Sequence, residues 1–217
     1  MEKVCSFGEA FQGDAWIFWG SFEVKDRRQD RIRTQRRVTL ARALERAETE
    51  GLAALLNPGP DAAAGLKSPN LEAQPLDLLF LDEDDLRTWF AEALEAIGLL
   101  ESALAWARHL EEEGDLWRRR LALNDREPRL RARRGELDEA WRNLLRAHFR
   151  RWGAAGVAGE RIASVEAELT LAALRGAERL WLEGGGRPLL PILVREALAT
   201  LWPALYAHAR KGASQRG

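Results

Sequence analysis

The chain has 217 residues and a mass of 24.4 kDa, and its 46% hydrophobic and 31% charged residues supply enough apolar material for a buried core with too many interspersed charges for a membrane protein. A net charge of −1 excludes a polycation that holds nucleic acid by charge alone, and the single cysteine, Cys5, excludes an intramolecular disulfide. No histidine or cysteine pair has metal-site spacing, no apolar run approaches the roughly 20 residues of a membrane helix, and no secretory leader is visible, so the expectation is a cytoplasmic protein without metal or cofactor.

Charge is unevenly distributed. Between Lys25 and Arg46 nine basic residues face three acidic ones, a local balance of 9 − 3 = +6. From Asp77 to Glu95 the sign reverses, with only Arg87 opposing seven carboxylates. A basic head on an acidic or neutral body is the natural reading. Before that head, residues 1–26 form an N-terminal extension in which Trp16, Ile17, Phe18, Trp19 and Phe22 lie among glycines without helical period. They read either as an arm that packs on the body or a second subunit, or as a dispensable extension.

Good helix formers dominate from Arg27 to Gly51, where Val38, Ala41 and Leu44 recur at helical spacing and Gly51 stands at a C-cap. Pro58, Gly59 and Pro60 forbid a continuous helix beyond it, so the next helix is expected only after Pro60, across Asp61 to Leu66. Asp82-Glu-Asp-Asp85 predicts a helix start, because carboxylates cap free amides and oppose the helix dipole. That helix should run to about Ile97 with Leu86, Trp89, Phe90, Ala93, Leu94 and Ile97 buried.

A second helix, bent near Gly114, carries Leu104, Trp106, Ala107, Leu110, Leu116, Trp117, Leu121 and Leu123. Pro128 ends it and opens the next. There Trp141, Leu144, Leu145, His148 and Phe149 share a face while Arg142, Arg146 and Arg150 point away, and Gly153 and Gly156 stop the helix. Residues 159–183 form an alanine- and leucine-rich helix in which Ala167, Ala172, Ala173 and Gly176 allow close helix packing. The last helix runs from Pro188 or Pro191 to about Arg210, weakened at Pro203. No alternation of strand and helix appears, so the class is all-α.

Three stretches resemble the TetR family of transcriptional repressors: AETEGLAAL (Ala47 to Leu55), AAAGLKSPNL (Ala62 to Leu71) and ALRGAERLWLEGGGRPLLPILVREALATLWPAL (Ala173 to Leu205). The resemblance covers roughly residues 30–210. It implies a helical bundle with a small three-helix DNA-binding domain at residues 27–80 and a larger ligand-binding and dimerisation domain at residues 81–217. By that resemblance the chain is a homodimeric repressor that binds double-stranded DNA and is released by a small apolar or aromatic effector, with its dimer helices within residues 159–210.

Arg33, Arg36 and Arg37 are the candidate phosphate contacts, since arginine pairs bidentately with phosphate. Lys67, Ser68 and Asn70 occupy the recognition turn, with a polar loop as the plainer reading. Candidate effector contacts are Trp89, Trp106, Trp117 and Trp141, whose rings would line a cavity, with His109 and His148 as polar anchors. Core packing is the plainer role for these tryptophans.

The head departs from the family pattern. Pro58 and Pro60 fall where a bracing helix belongs, and Glu72 replaces a tyrosine near the phosphate backbone, where a carboxylate repels. The alternative is therefore a TetR-fold protein that has lost DNA reading and acts as a small-molecule binder or cofactor-free enzyme; a misread coding sequence before residue 80 would give the same pattern. No catalytic residues stand out. Glu111, Glu112 and Glu113 read as a solvated helix end, and a non-enzymatic role is expected.

Overall fold

The structure is a computed structural model that describes residues 27–56, 75–80, 82–153 and 155–201. The expectations for residues 1–26, for a helix across 61–66, and for Lys67, Ser68, Asn70 and Glu72 lie outside the described residues, as do Pro203, Leu205 and His208. Among the described residues the chain is helical and carries no strand, as the all-α reading requires. No described helix is long and apolar enough to cross a membrane.

The chain divides into two compact units, residues 1–37 and 38–217. The described part of the first is the basic beginning of helix α1, which spans Arg27–Glu50. Gly51, at φ +84°, ends α1 in the left-handed conformation that glycine adopts without penalty. Directly after it comes α2, Leu52–Leu56, a five-residue helix that sequence reasoning had excluded before Pro60. The correction has a local cause: Leu52 and Leu55 are buried three residues apart, and one turn is enough to bury both.

A 3-10 turn at Pro75–Phe80 precedes α3, Glu83–Arg126. Two glycines with positive φ, Gly98 (+76°) and Gly114 (+42°), divide α3 into three segments. The breaks coincide with the expected helix end near Ile97 and the expected bend near Gly114. At neither glycine would a Cβ meet any atom within 4 Å, so backbone conformation rather than crowding selects glycine there. Gly114→Ala is accordingly expected to lose roughly 1–2 kcal/mol, from the left-handed penalty of an L-residue. Thermal unfolding would show it, and an unchanged midpoint would mean that α3 straightens without cost.

Pro128 takes the first turn of α4, Pro128–Trp152, where its missing N–H leaves no helical bond unmade. Helix α5, Gly156–Glu183, follows the break at Gly153 and begins three residues earlier than periodicity suggested. Helix α6 covers residues 190–201. Helices α4 and α5 pack along one another, and α3 lies against both.

Two hydrophobic clusters result. The larger draws Phe90, Leu104, Trp106 and Trp117 from α3, Trp141 and Leu145 from α4, Leu171 and Leu174 from α5, and Val194 and Leu198 from α6. The smaller joins Leu40, Ala43, Leu44 and Ala47 of α1 to Leu52 and Leu55 of α2, to Leu78, Leu79 and Phe80 of the turn, and to Leu123 of α3 and Leu130 of α4.

Candidate functional site

Helix starts usually spend their carboxylates on free backbone amides, and Asp82 and Glu83 were expected to do so here. The structure corrects this. Asp82 makes no side-chain cap bond, and its Oδ1 accepts instead from Arg120 Nη1 at 2.6 Å. Glu83 points inward and is only 1% exposed. A buried carboxylate is tolerated only when paired and hydrogen-bonded, and three cationic side chains gather around this one.

Arg134 of α4 donates to Glu83 Oε1 at 3.3 Å, and Arg120 Nη2 lies 3.6 Å from the same oxygen. The second oxygen accepts from Trp141 Nε1 at 3.3 Å. Arg134 continues to Glu178 of α5 at 3.1 Å, and Glu178 accepts from Arg175 at 3.0 Å. Arg175 closes the chain of bonds on Asp138 of α4 at 2.7 Å. Arg120 also donates to the Leu79 carbonyl at 3.3 Å, which extends the network to the 3-10 turn.

Burial by itself would raise the Glu83 pKa; the charges of Arg134, Arg120 and Arg175 and the bond from Trp141 outweigh it and bring the group down from 4.5 to about 2. Burial likewise disfavours the Arg175 cation, but Glu178, Asp138 and Glu83 more than offset that and raise its pKa. Glu83 is therefore a permanent carboxylate and Arg175 a permanent cation at neutral pH. Neither group exchanges a proton in this pH range, and through their bonds they tie α3, α4 and α5 together.

Aromatic rings adjoin it. Phe90 and Trp106 meet Trp141 edge to face, with ring centroids 5.1 Å and 6.4 Å away, and the Arg175 guanidinium lies 5.8 Å from the Trp141 ring. Arg120 stacks on Trp117 at 3.6 Å. Edge-to-face rings and a cation over a π-face are both attractive arrangements.

Of the residues singled out for an effector, Trp106, Trp117 and Trp141 enter the large cluster and Trp89 packs at its border. The indole N–H groups of Trp106 and Trp117 are buried without a hydrogen-bond partner. His148 stands apart, half-buried against Phe149 at 5.5 Å, and burial followed by the nearby Arg151 charge lowers its pKa although Glu95 opposes them. His109 is half-buried on α3.

For the residues assigned to DNA, Arg33, Arg36 and Arg37 are helical in α1, Arg36 half-buried and Arg37 exposed. Among the described residues no group of three or more His, Cys, Asp or Glu side chains is arranged to hold a metal.

Glu111 also differs from its expected role. Instead of ending a helix in solvent, it accepts from the Leu190 N–H at 2.6 Å and caps the start of α6. Sequence reasoning missed Glu83, Arg120, Arg134, Arg175 and Glu178. One signal was present: Arg175 and Glu178 are charges three apart on a face otherwise made of Leu171, Leu174, Ala177 and Trp181, where a solvated pair is out of place.

Compared with known proteins, no family model matches this chain, and neither a curated protein nor a solved structure matches it.

Proposed function

We propose that the chain is a TetR-like transcriptional regulator that acts as a homodimer through residues 159–210, contacts double-stranded DNA with the basic start of α1 and with residues 67–70, and is released by a small apolar or aromatic molecule. The observation that carries the reading is an apolar stripe on α5. Val165, Leu169 and Leu180 are 57%, 36% and 55% exposed, and the small residues Ala172 and Gly176, also exposed, lie between them. The spacing of four, three, four and four keeps all five on one helix face, about 22 Å long at 1.5 Å per residue. Exposed leucine and valine in a continuous row signal an interface, and small residues at its middle let a second helix come close. Leu189, just before α6, and Ile192, in its first turn, are 55% and 46% exposed and add apolar surface in the same part of the sequence.

The DNA-contacting part of the proposal rests on charge. Arg27, Arg28, Arg31, Arg33, Arg36 and Arg37 fall within the first eleven residues of α1, opposed there by Asp30. Phosphate neutralisation by such a helix would release counterions and make binding salt-dependent. Effector release would follow if the molecule favours one spacing of two DNA-contacting heads over another.

Sedimentation velocity and a gel-shift assay test the two parts together. The wild-type chain is expected to be a dimer and to retard DNA from upstream of its own coding sequence at low salt. Leu169→Asp combined with Leu180→Asp should give a folded monomer that binds DNA at least about tenfold more weakly through lost bivalency. Arg36→Ala with Arg37→Ala and Lys67→Ala should leave the dimer intact and flatten the salt dependence by about one unit of slope for each phosphate contact removed. A monomeric wild type overturns the proposal.

A dimer that retards no DNA points to the second reading, a small-molecule binder or cofactor-free enzyme on the same fold. Pro58 and Pro60, which fall where the family has a bracing helix, favour that reading.

A further inference from the structure

The last third of α3, Asp115–Arg126, serves both hydrophobic clusters at once: Trp117 belongs to the larger and Leu123 to the smaller. The same segment carries Arg120 and Asn124, which are 1% and 5% exposed. Arg120 Nη1 is bonded to Asp82 and to the Leu79 carbonyl, but the other polar atoms of these two side chains make no hydrogen bond. Arg120 Nε and Nη2, both amide atoms of Asn124, and the indole N–H of Trp117 are all buried without a hydrogen-bond partner. Positions 117, 120 and 124 lie on one helical face, so these orphan groups form a line where the two clusters meet.

Buried polar groups without partners cost free energy that water would return on exposure. One buried bond crosses this line, from Arg120 to the Leu79 carbonyl at 3.3 Å, and the charged links beside it are partly exposed. Arg119 with Glu48 at 2.6 Å and Arg133 with Asp77 at 2.9 Å join the smaller cluster's elements to α3 and α4, and all four side chains are 28–35% exposed. Water replaces such partly exposed pairs at little cost. The larger cluster is closed differently, by the Glu83, Arg134, Glu178 and Arg175 bonds, with Glu83 and Glu178 only 2–3% exposed at the side chain.

We infer that this polar seam is a built-in opening plane, along which residues 38–56 and 75–80 come away from Asp115–Arg126 as one cooperative unit while the larger cluster stays folded. On the α3 and α4 side the apolar burial lost is that of Leu123, Leu130 and their half-buried neighbours Leu116 and Leu137; the departing unit loses only the faces it turns to them and keeps its own internal packing, and hydration of Asn124 and of the unbonded Arg120 atoms offsets part of the loss. The open form presents those two side chains to solvent. Low-stability units of this kind are the elements that ligands and partners can bias, and the inference stands whether or not the chain binds DNA.

Native-state hydrogen exchange on the full wild-type chain is the test. Amides within 40–55 and 78–80 should share one opening, at least about tenfold more populated than the opening that exposes amides within 86–94, 141–145 and 167–178. Asn124→Leu, which removes two orphan atoms at similar size, should slow exchange of the first set about tenfold and leave the second set unchanged. A single opening common to both sets in the wild type overturns the inference on its own. So does an Asn124→Leu protein whose first set exchanges as fast as, or faster than, that of the wild type.

Discussion

Replacing Glu83 by alanine is expected to destabilise the protein by about 3–5 kcal/mol, the usual result of removing one partner from a buried ion cluster. Arg134 would lose its bond at 3.3 Å, Arg120 its neighbouring charge, and Trp141 its acceptor, all in surroundings that water does not reach. For a chain of this length the unfolding midpoint should fall by roughly 10 °C. Urea denaturation at neutral pH is the direct measurement, and a variant as stable as the wild type would show that the cluster contributes nothing.

The pH dependence follows from the same group. Glu83 has a folded-state pKa of about 2 against an ordinary 4.5, so its contribution is fully present above 4.5 and is lost as pH falls from 4.5 towards 2. A depression of that size corresponds to stability on the order of 3 kcal/mol. Glu83→Gln should therefore be less stable than the wild type at neutral pH and nearly equal to it near pH 2. A difference between the two proteins that persisted unchanged into acid would contradict the assignment of the acid-sensitive step to Glu83.

Trp141→Ala is expected to have a comparable effect, about 3–5 kcal/mol, from a cavity at the centre of the large cluster. Trp141 is 2% exposed, meets Phe90 and Trp106 edge to face, and donates its only N–H to Glu83. Trp141→Phe separates those contributions: the ring contacts remain in part while the bond to Glu83 goes, for a loss of roughly 1–3 kcal/mol. A double-mutant cycle with Glu83→Gln should then give a coupling of about 0.5–3 kcal/mol, as for directly bonded groups. Strict additivity would mean that the indole and the carboxylate stabilise the fold independently.

These two residues also mark how far the sequence could be read. Trp141 was visible as a buried position, because Trp141, Leu144, Leu145 and Phe149 repeat with the helical period and tryptophan at such a place is core. Its bond to Glu83 was not visible, since the two are 58 positions apart and nothing local specifies the pairing. Glu83 was misread for the same reason. Within Asp82 to Asp85 all four carboxylates have the same local argument for capping a helix, and only the approach of Arg120, Arg134 and Arg175 from three other places in the chain draws Glu83 inward.

Helix α2 illustrates a different limit. Pro58 and Pro60 are strong local signals against a helix, yet in Leu52–Leu56, just before them, one turn suffices to bury two leucines against the turn at Pro75–Phe80. Glu111 shows the limit again, because its acceptor role belongs to Leu190, 79 residues later.

The sequence by itself determined the helices of the body, a helix end near Ile97, the breaks at Gly114, Pro128 and Gly153, and most of the apolar faces, because period, caps and breakers act within a turn or two of chain. The tertiary structure alone decided which charges went inside, which carboxylate caps α6, and that two apolar clusters meet across a line of unpaired polar atoms. Those outcomes depend on side chains brought together from distant segments, where the cost of burying a charge is settled by partners that no local pattern names.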